Sequence, residues 1–504
     1  MVKERRSKST GFSFQAAVSS PINAIGLRVV FVSNFTRAES VYGLGAENLG
    51  EFMQHPIKRQ AVVIIHGIGE QRPMETLRSF AEAIPKVEQT ESKGVGWSKP
   101  DSISEGFEHH RFTLPSTRTR PVTDVYELYW AHLFEQSNPS TFLAWVKRLL
   151  FRPLPELPRR FQLVSVLLWL LLIVLVGGGY WAWQTYAADR WVYLIAALPL
   201  VGAVYGVIMY AANAFMLGTI SDAARYLDAN PRNVEARNKV RELGVTFLER
   251  LHKSDRNYDR IIVCSHSLGT VIGYDILQHL WYRMHEHHTP VAAPRQKVQK
   301  QMSRYSAQRD GKRARALQRD LWLEQIEMGN RWRITDFVTM GSPLTHADVL
   351  MSDSDTRFHQ SIKNGELPAC PPSVDPQTKR IGFQRKYSIA GGQKRTIYLL
   401  RHSSMFAVTR WTNIYFETMM GLFGDPISGP MGRRFGSGVR DIKIKPRGRH
   451  KLFAHLRYWA GPALERGVQV EESALPQTAL EALREALDID RKVIVSGEDV
   501  PEEL

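Results

Sequence analysis

The residues best suited to chemistry in this 504-residue chain lie in the segment Ser265-His266-Ser267-Leu268-Gly269. A short, mostly β-branched run, Arg260–Cys264, comes before it, and a helical pattern follows it. Small residues around Ser267 suit the sharp strand-to-helix turn that exposes a nucleophilic serine above a sheet. Ser265 stands where the usual pattern G-x-S-x-G has its first glycine, so one small residue replaces another. The segment predicts a nucleophile at Ser267.

A second candidate for chemistry lies upstream, at the end of the first strong strand pattern. The apolar run Ala61–Ile65 is typical of a central strand covered on both faces, and it ends at His66-Gly67-Ile68-Gly69. Glycines beside a strand end let the backbone turn its amides toward a ligand. Together with the Ser267 turn, this segment resembles the oxyanion loop of lipases and esterases in the α/β-hydrolase superfamily. The resemblance implies backbone donors near Ile68 and at Leu268.

The same superfamily orders its catalytic residues as nucleophile, acid and histidine, and the chain after Ser267 supplies the other two. Asp425 follows an aromatic-rich strand pattern and precedes Pro426, which holds the loop extended. This segment looks like the acid-bearing loop of lipase-like serine hydrolases. His455 comes after Asp425 and is the best candidate for the base, because an imidazole can take the serine proton and return it near neutral pH.

Other residues remain open as alternatives for these roles. Asp348 follows the preceding strand pattern, where some lipases place the acid. His402 and His450 are alternative bases, although His402 comes before the predicted acid. Ser342 is followed by proline, which gives no strand-to-helix turn, so it is a weak rival nucleophile. His266 suits packing better than catalysis, because neighbouring residues at a strand end point to opposite sides.

Two long apolar segments interrupt the chain before the Ser267 strand. Residues 163–183 form 21 residues without a charge, and residues 191–217 form 27 more. About 20 apolar residues span a bilayer core, and tryptophan and tyrosine cluster around the intervening turn as in an interfacial belt. Arginines flank the outer ends, so the positive-inside rule places both ends in the cytoplasm. We expect a transmembrane hairpin; the alternatives are a buried hairpin and a lipid-facing cap that lies in one leaflet, with a bend at Gly177–Gly179 that lets the pair dip without crossing.

The net charge of +16 predicts attraction to something anionic. Basic residues concentrate in Arg295–Arg319, with nine basic side chains against one acidic, and this segment is predicted as a solvated helix or loop. We interpret it as a surface toward anionic lipid, a merely exposed face being the alternative. Nucleic acid is not expected, because only Tyr305 interleaves the charges. With Cys264 in a buried strand and Cys370 as the second cysteine, no disulfide framework is expected.

The predicted fold class is α/β, an α/β-hydrolase fold with a mostly parallel sheet flanked by helices and a two-helix transmembrane insertion. Residues between the helix pattern Pro73–Ile84 and about Thr119 are predicted as loop, and the tail contains one short helix, Thr478–Leu487. The predicted divisions are a partly disordered N-terminal arm 1–53, a first hydrolase part 54–160, a hairpin 161–220, a second hydrolase part 221–464 with a basic insert 290–330, and a tail 465–504.

The resemblance implies a membrane-anchored serine hydrolase that cleaves carboxylic acyl esters of lipids. It would act through Ser267, Asp425 and His455 on the cytoplasmic side of the membrane. We see no zinc-ligand spacing and no Walker A loop, and the resemblance requires neither metal nor cofactor. Two other functions remain open: a membrane-tethered esterase or thioesterase for soluble substrates, and a catalytically inactive scaffold with the same fold.

Overall fold

In the computed structural model, the residues described lie mainly between Met53 and Asp499. They are 53–67, 74–85, 97–103, 110–133, 231–286, 288, 290, 296–352, 354–388, 394–418, 424–425, 427–445, 454–459 and 478–499, with scattered positions between 151 and 227. Ile68, Gly69 and almost all of the two apolar segments fall outside this set, so the expectations for them stay predictions. Among the described residues, no helix is both long enough and apolar enough to cross a membrane.

Twelve strands occur in the described part of the chain. They are β1 (Gln54–Pro56), β2 (Arg59–Ile65), β3 (Trp97–Pro100), β4 (His110–Leu114), β5 (Val122–Leu128), β6 (Arg260–His266), β7 (Ile334–Met340), β8 (Gly382–Ser388), β9 (Lys394–Leu400), β10 (Arg410–Phe416), β11 (Arg440–Ile444) and β12 (Val493–Val495). Eight of them form one central sheet in the order β11-β10-β7-β6-β2-β5-β4-β3. The strands from β11 to β5 are parallel, and β4 and β3 add an antiparallel edge.

The α-helices of the described residues flank this sheet. They are α1 (Glu75–Ala83), α2 (Pro231–Lys253), α3 (Leu268–Glu286), α4 (Lys297–Ala307), α5 (Gly311–Ala316), α6 (Gln318–Glu327), α7 (Ala347–Leu350), α8 (Asp355–Asn364), α9 (Gly432–Phe435) and α10 (Ala479–Leu487). The chain is therefore a mixed α/β protein with a mostly parallel central sheet.

Alternation along β2 explains why the sheet is covered on both faces. Val63 and Ile65 face one hydrophobic cluster, which includes residues of α2 and α3, whereas Val62 and Ile64 face a second cluster with residues of α1 and α10. All four side chains are fully buried. Each such burial contributes about 1.5–3 kcal/mol, which is why a continuous apolar strand settles at the centre of the sheet.

Strand pairing joins the two predicted parts of the α/β domain into one sheet. β2 precedes the apolar segments in the chain and β6 follows them, yet the two strands pair in parallel, with Val63 opposite Val263. The expectation of loop before Thr119 is wrong, because β3 and β4 lie there and extend the sheet edge. β4 has no long apolar run that would mark it as a strand in the sequence. It is a strand because it pairs with β5, and a polar segment does not reveal that pairing.

One other prediction, about the basic segment Arg295–Arg319, needs correction. The basic segment is not simply solvated: Arg315 donates to the carbonyls of Trp411 and Gly438, and Arg319 is buried. The C-terminal tail contains the short helix that the sequence predicts: α10 buries its apolar face against the sheet, and β12 of the same tail pairs with β1. A capping box at Thr478 and apolar spacing along α10 produce an amphipathic helix that needs such a partner surface.

Candidate active site

Ser267 occupies the sharp turn between β6 and α3 at the carboxyl edge of the sheet. Its φ of 55° lies in the left-handed region, which a residue with a side chain adopts only where the surroundings impose it. Two hydrogen bonds hold the turn: the Ser267 amide donates to the Met340 carbonyl (2.9 Å), and the Thr270 hydroxyl donates to the Ser267 carbonyl (2.7 Å). The serine hydroxyl is thereby fixed at the start of a helix.

Two glycines make this turn possible by removing side chains from crowded positions. A Cβ at Gly269 would lie 2.3 Å from the Ile65 carbonyl oxygen, so α3 could not approach β2 with any larger residue there. A Cβ at Gly67 would lie 2.8 Å from the Cβ of Ser267, so the backbone at Gly67 lies directly against the candidate nucleophile. The predicted oxyanion loop and the predicted nucleophile are therefore neighbours in space.

The structure brings Ser267, His455 and Asp425 together in one hydrogen-bonded chain. Ser267 Oγ lies 2.9 Å from His455 Nε2, and His455 Nδ1 lies 3.0 Å from Asp425 Oδ2. The three residues come from different elements: the β6–α3 turn, a short 3₁₀ turn at Ala454–Leu456 and the loop after β10. Ser267 is 4% exposed to solvent, His455 is 7% exposed and Asp425 is fully buried, so water is largely excluded from these contacts.

Asp425 stays ionised although burial alone would favour its neutral form. Burial alone raises the pKa of this carboxyl group. The neighbouring His455 and several hydrogen bonds lower the pKa by more than burial raises it, so the pKa is well below its usual range. Oδ1 accepts from the Ile427 amide (3.0 Å), and Oδ2 accepts from the Tyr458 hydroxyl (2.7 Å) as well as facing His455. A fixed carboxylate of this kind orients an imidazole and stabilises its charged form.

Candidate oxyanion donors lie beside Ser267. Leu268 is the first residue of α3, so its amide belongs to the helix end that has no intrahelical acceptor and a partial positive charge. His66 supports the opposing loop: its Nδ1 lies 2.6 Å from the Gly67 carbonyl oxygen, and its ring stacks on Trp130. Burial lowers the pKa of His66 to about 4, so the ring is neutral at pH 7.

The alternative site residues lie elsewhere or do other work. Asp348 pairs with Arg434 (2.9 Å), and His402 Nε2 lies 3.1 Å from the Gly365 carbonyl oxygen. Ser342 caps the short helix after β7 by accepting from the Leu344 amide. His266 hydrogen-bonds through Nε2 to the His455 carbonyl (2.8 Å), and this contact holds the backbone of the turn that contains His455. Burial lowers the pKa of His266 to about 3. His450 lies outside the described residues.

Two features of the site were not predicted from the sequence. Tyr458 lies three positions after His455, and its hydroxyl donates to Asp425. Only its closeness to His455 in the sequence could have suggested this contact. Ser265, the departure from the usual glycine, fits because Gly273 leaves space for it: a Cβ at Gly273 would lie 2.5 Å from Ser265 Oγ. Gly273, which follows the candidate nucleophile in the sequence, was the available signal, but nothing in the sequence pattern linked it to Ser265.

No group of His, Cys, Asp and Glu side chains in the described residues is arranged to hold a metal ion. No protein-family model, no curated protein and no solved structure matches this chain. The geometry of the site is therefore the basis for assigning a function to the chain.

Proposed function

We propose that this chain is a serine hydrolase of the α/β-hydrolase superfamily that cleaves carboxylic acyl esters. The observation that carries the proposal is the hydrogen-bonded chain from Ser267 Oγ through His455 to Asp425. The left-handed turn at Ser267, the close glycine loop at Gly67 and the mostly parallel sheet support it. A hydroxyl, an imidazole and a buried carboxylate in this order are the parts that acyl transfer to serine needs.

In the first half of the proposed reaction, His455 Nε2 takes the proton of Ser267 as Oγ attacks the ester carbonyl carbon. The carbonyl oxygen becomes an oxyanion, which the Leu268 amide and a donor of the loop after Gly67 stabilise. Collapse of this intermediate breaks the ester C–O bond, and the leaving alkoxide takes the proton from His455. The alcohol departs and the acyl group remains on Ser267.

In the second half, a water molecule replaces the alcohol. His455 takes one of its protons as the oxygen attacks the acyl carbon, and a second oxyanion forms at the same donors. Collapse breaks the bond to Ser267 Oγ, which recovers the proton from His455, and the carboxylic acid leaves. Asp425 remains ionised throughout and stabilises the imidazolium that forms in each half.

Lipid esters at a membrane are the proposed substrates. The two uncharged segments at 163–183 and 191–217 would hold the domain at a bilayer, with its catalytic part on the cytoplasmic side. Basic side chains of α4 and α5 that remain exposed would add attraction to anionic lipid; they are Lys297, Lys300, Arg304, Lys312 and Arg313. A tethered esterase for soluble substrates is the competing possibility.

Release of labelled fatty acid from phospholipid vesicles, compared with a panel of soluble esters, tests both statements. Ser267→Ala should lower release by at least about 10³-fold, because the attacking oxygen is gone. Ser404→Ala removes another buried serine, whose hydroxyl donates to the Ile381 carbonyl, and should leave release unchanged. Undiminished release by Ser267→Ala would overturn the hydrolase proposal, and turnover of the soluble esters alone would overturn the lipid substrate.

A further inference from the structure

Tyr458 makes a contact with the candidate acid that the proposed reaction has not yet used. The residue is fully buried, and its hydroxyl lies 2.7 Å from Asp425 Oδ2, the same oxygen that faces His455 Nδ1 at 3.0 Å. One carboxylate oxygen thus accepts two hydrogen bonds, one from the imidazole and one from the phenol.

The neighbours of Tyr458 fix the direction of its hydroxyl proton. The Phe416 amide can only donate, and it points at the Tyr458 oxygen from 3.4 Å. Ser428 Oγ lies 3.1 Å from the same oxygen and can supply a second donor. Because the ionised carboxylate can only accept, the Tyr458 proton belongs on the line to Asp425.

The tyrosine keeps this proton at every pH in which the enzyme would work. Burial, and then the nearby negative charge of Asp425, raise the pKa of Tyr458 well above its usual value. The phenol is therefore a permanent neutral donor in a buried place, where a hydrogen bond to a charged group is strong.

The packing around His455 ties the same tyrosine to the position of the imidazole. A Cβ at Gly341 would lie 2.9 Å from both His455 Cε1 and Tyr458 Cε2, so the two rings share the space above that glycine. His455 lies in the short 3₁₀ turn Ala454–Leu456 and Tyr458 follows just after that turn; the ring of His266 lies against both side chains. A change at Tyr458 therefore affects both His455 and Asp425.

We propose that Tyr458 is a positioning residue of the triad, which fixes the Asp425 carboxylate and withdraws part of its negative charge from His455. This inference rests on the proposed function. Without the phenol, the carboxylate would share more of its charge with the His455 ring and would also be free to rotate. The imidazolium would then form at higher pH, and the serine proton would be transferred less efficiently.

Tyr458→Phe tests this role in the full chain, because it removes one oxygen and keeps the ring. We expect kcat for an ester to fall about tenfold with KM within about twofold, and the acid limb of the kcat/KM profile to move up by about half a pH unit. Ser428→Ala, which removes a donor to the phenol, should move the limb in the same direction by less.

Histidine NMR provides a readout that does not depend on turnover. In protein labelled at histidine Cε1, the His455 signal is identified by its loss in His455→Gln, and its titration midpoint should rise in Tyr458→Phe. A midpoint that does not move overturns the inference about Tyr458, whatever the activity of the protein. Absence of ester cleavage by the wild type, with the midpoint still shifted, would count against the proposed function instead.

Tyr274→Phe is the matched control for a purely structural effect. Tyr274 is another buried tyrosine, whose hydroxyl donates to the Pro368 carbonyl (2.8 Å) on the opposite face of the sheet. Loss of the Tyr274 hydroxyl should lower the free energy of unfolding by about as much as loss of the Tyr458 hydroxyl. It should leave both the pH profile and the His455 titration midpoint unchanged. If the two variants behave alike, Tyr458 only supports the fold.

Discussion

At the scale of single residues, the site combines one strained backbone and one buried charge that accepts hydrogen bonds from the protein. Ser267 is held at a φ of 55° by hydrogen bonds from both sides of the turn, which keeps its hydroxyl in line with His455 Nε2. Asp425 has no exposure, yet its two oxygens accept from the Ile427 amide and the Tyr458 hydroxyl. These donors replace water, so the carboxylate can remain charged beside the imidazole.

Asp425→Asn should lower kcat by about 10³–10⁴-fold while the fold persists, because an amide cannot hold the histidine in the required tautomer. Rates of ester cleavage and the circular dichroism spectrum of the purified variant check this. Asp348→Asn is the comparison, since Asp348 pairs with Arg434 and not with His455. Loss of activity in Asp348→Asn, with activity retained in Asp425→Asn, would mean that the acid is assigned wrongly.

Two of the three candidate triad positions, Ser267 and Asp425, have local signals in the sequence, whereas His455 was chosen because it follows Asp425 in the chain. A serine between small residues after a strand, and an aspartate before a proline, are legible in a few residues of sequence. Tyr458 and the Gly273 space for Ser265 could not be predicted, because each depends on a contact between residues whose elements meet only in the folded chain. The alternative acid Asp348 also follows a strand pattern; the ion pair of Asp348 with Arg434 and the contact of Asp425 with His455 separate the two carboxyl groups.

At the scale of elements, the ends of strands do the positioning. β2, β5, β6, β7 and β10 are parallel, so their carboxyl ends meet at one edge of the sheet and bring the Gly67 loop, the Ser267 turn and the loop after β10 together. Glu127, near the end of β5, accepts from the Met74 amide at the start of α1 (3.2 Å). It therefore fixes the helix that follows the candidate oxyanion loop.

Glu127→Gln should make stability less sensitive to pH. Burial raises the pKa of Glu127 to about 7, so the folded wild type loses stability as pH rises between the unfolded value near 4.5 and about 7. The glutamine variant lacks this loss, and its unfolding free energy relative to wild type should rise by about 2 kcal/mol between pH 5 and pH 8. Urea unfolding at the two pH values measures it.

An exposed glutamate of the same helix serves as the control for this measurement. Glu82→Gln, on the solvent side of α1, should show the same difference from wild type at both pH values. If the difference for Glu127→Gln also stays constant with pH, the pKa of the buried Glu127 carboxyl group is not raised.

At the scale of the whole molecule, the sheet is assembled from chain segments that lie far apart in sequence. Gln60 of β2 donates to the Ile489 carbonyl (2.6 Å), and Arg260 of β6 donates to the Asp488 carbonyl (2.8 Å) while pairing with Asp336. The segment after α10 thus contacts two central strands, β2 and β6, at the amino edge of the sheet, and Arg260 links it to β7 through Asp336. This edge lies opposite the edge that carries Ser267.

Leu483→Ala should therefore destabilise the entire domain, although it lies in the last part of the chain. The side chain is fully buried in the cluster formed by α1, α10 and the sheet, so its truncation should cost about 2–5 kcal/mol. Glu485→Ala, on the exposed face of the same helix, should cost less than about 1 kcal/mol. Equal effects in thermal unfolding would indicate that the tail is peripheral.

The parallel core of the sheet was predictable from its apolar strands, whereas its outer parts were not. Runs such as Ala61–Ile65 and Ile261–Cys264 are legible because both faces of a central strand are apolar. β3, β4 and β12 are short or polar and exist through their pairing partners. Half-buried Arg315 of α5 and buried Arg319 of α6 were predicted to be solvated, because the sequence does not reveal distant partners such as the carbonyls that the Arg315 guanidinium contacts.

Covalent labelling of the folded full chain with a fluorophosphonate, followed by peptide mass spectrometry, tests the central claim most directly. A serine activated by His455 should form the phosphonyl adduct at Ser267, and heat-denatured protein or His455→Gln should not. Adduct on Ser267 alone is the result that the geometry predicts. Folded wild-type protein that remains unlabelled, or that carries the adduct on Ser342 or another serine, would contradict it.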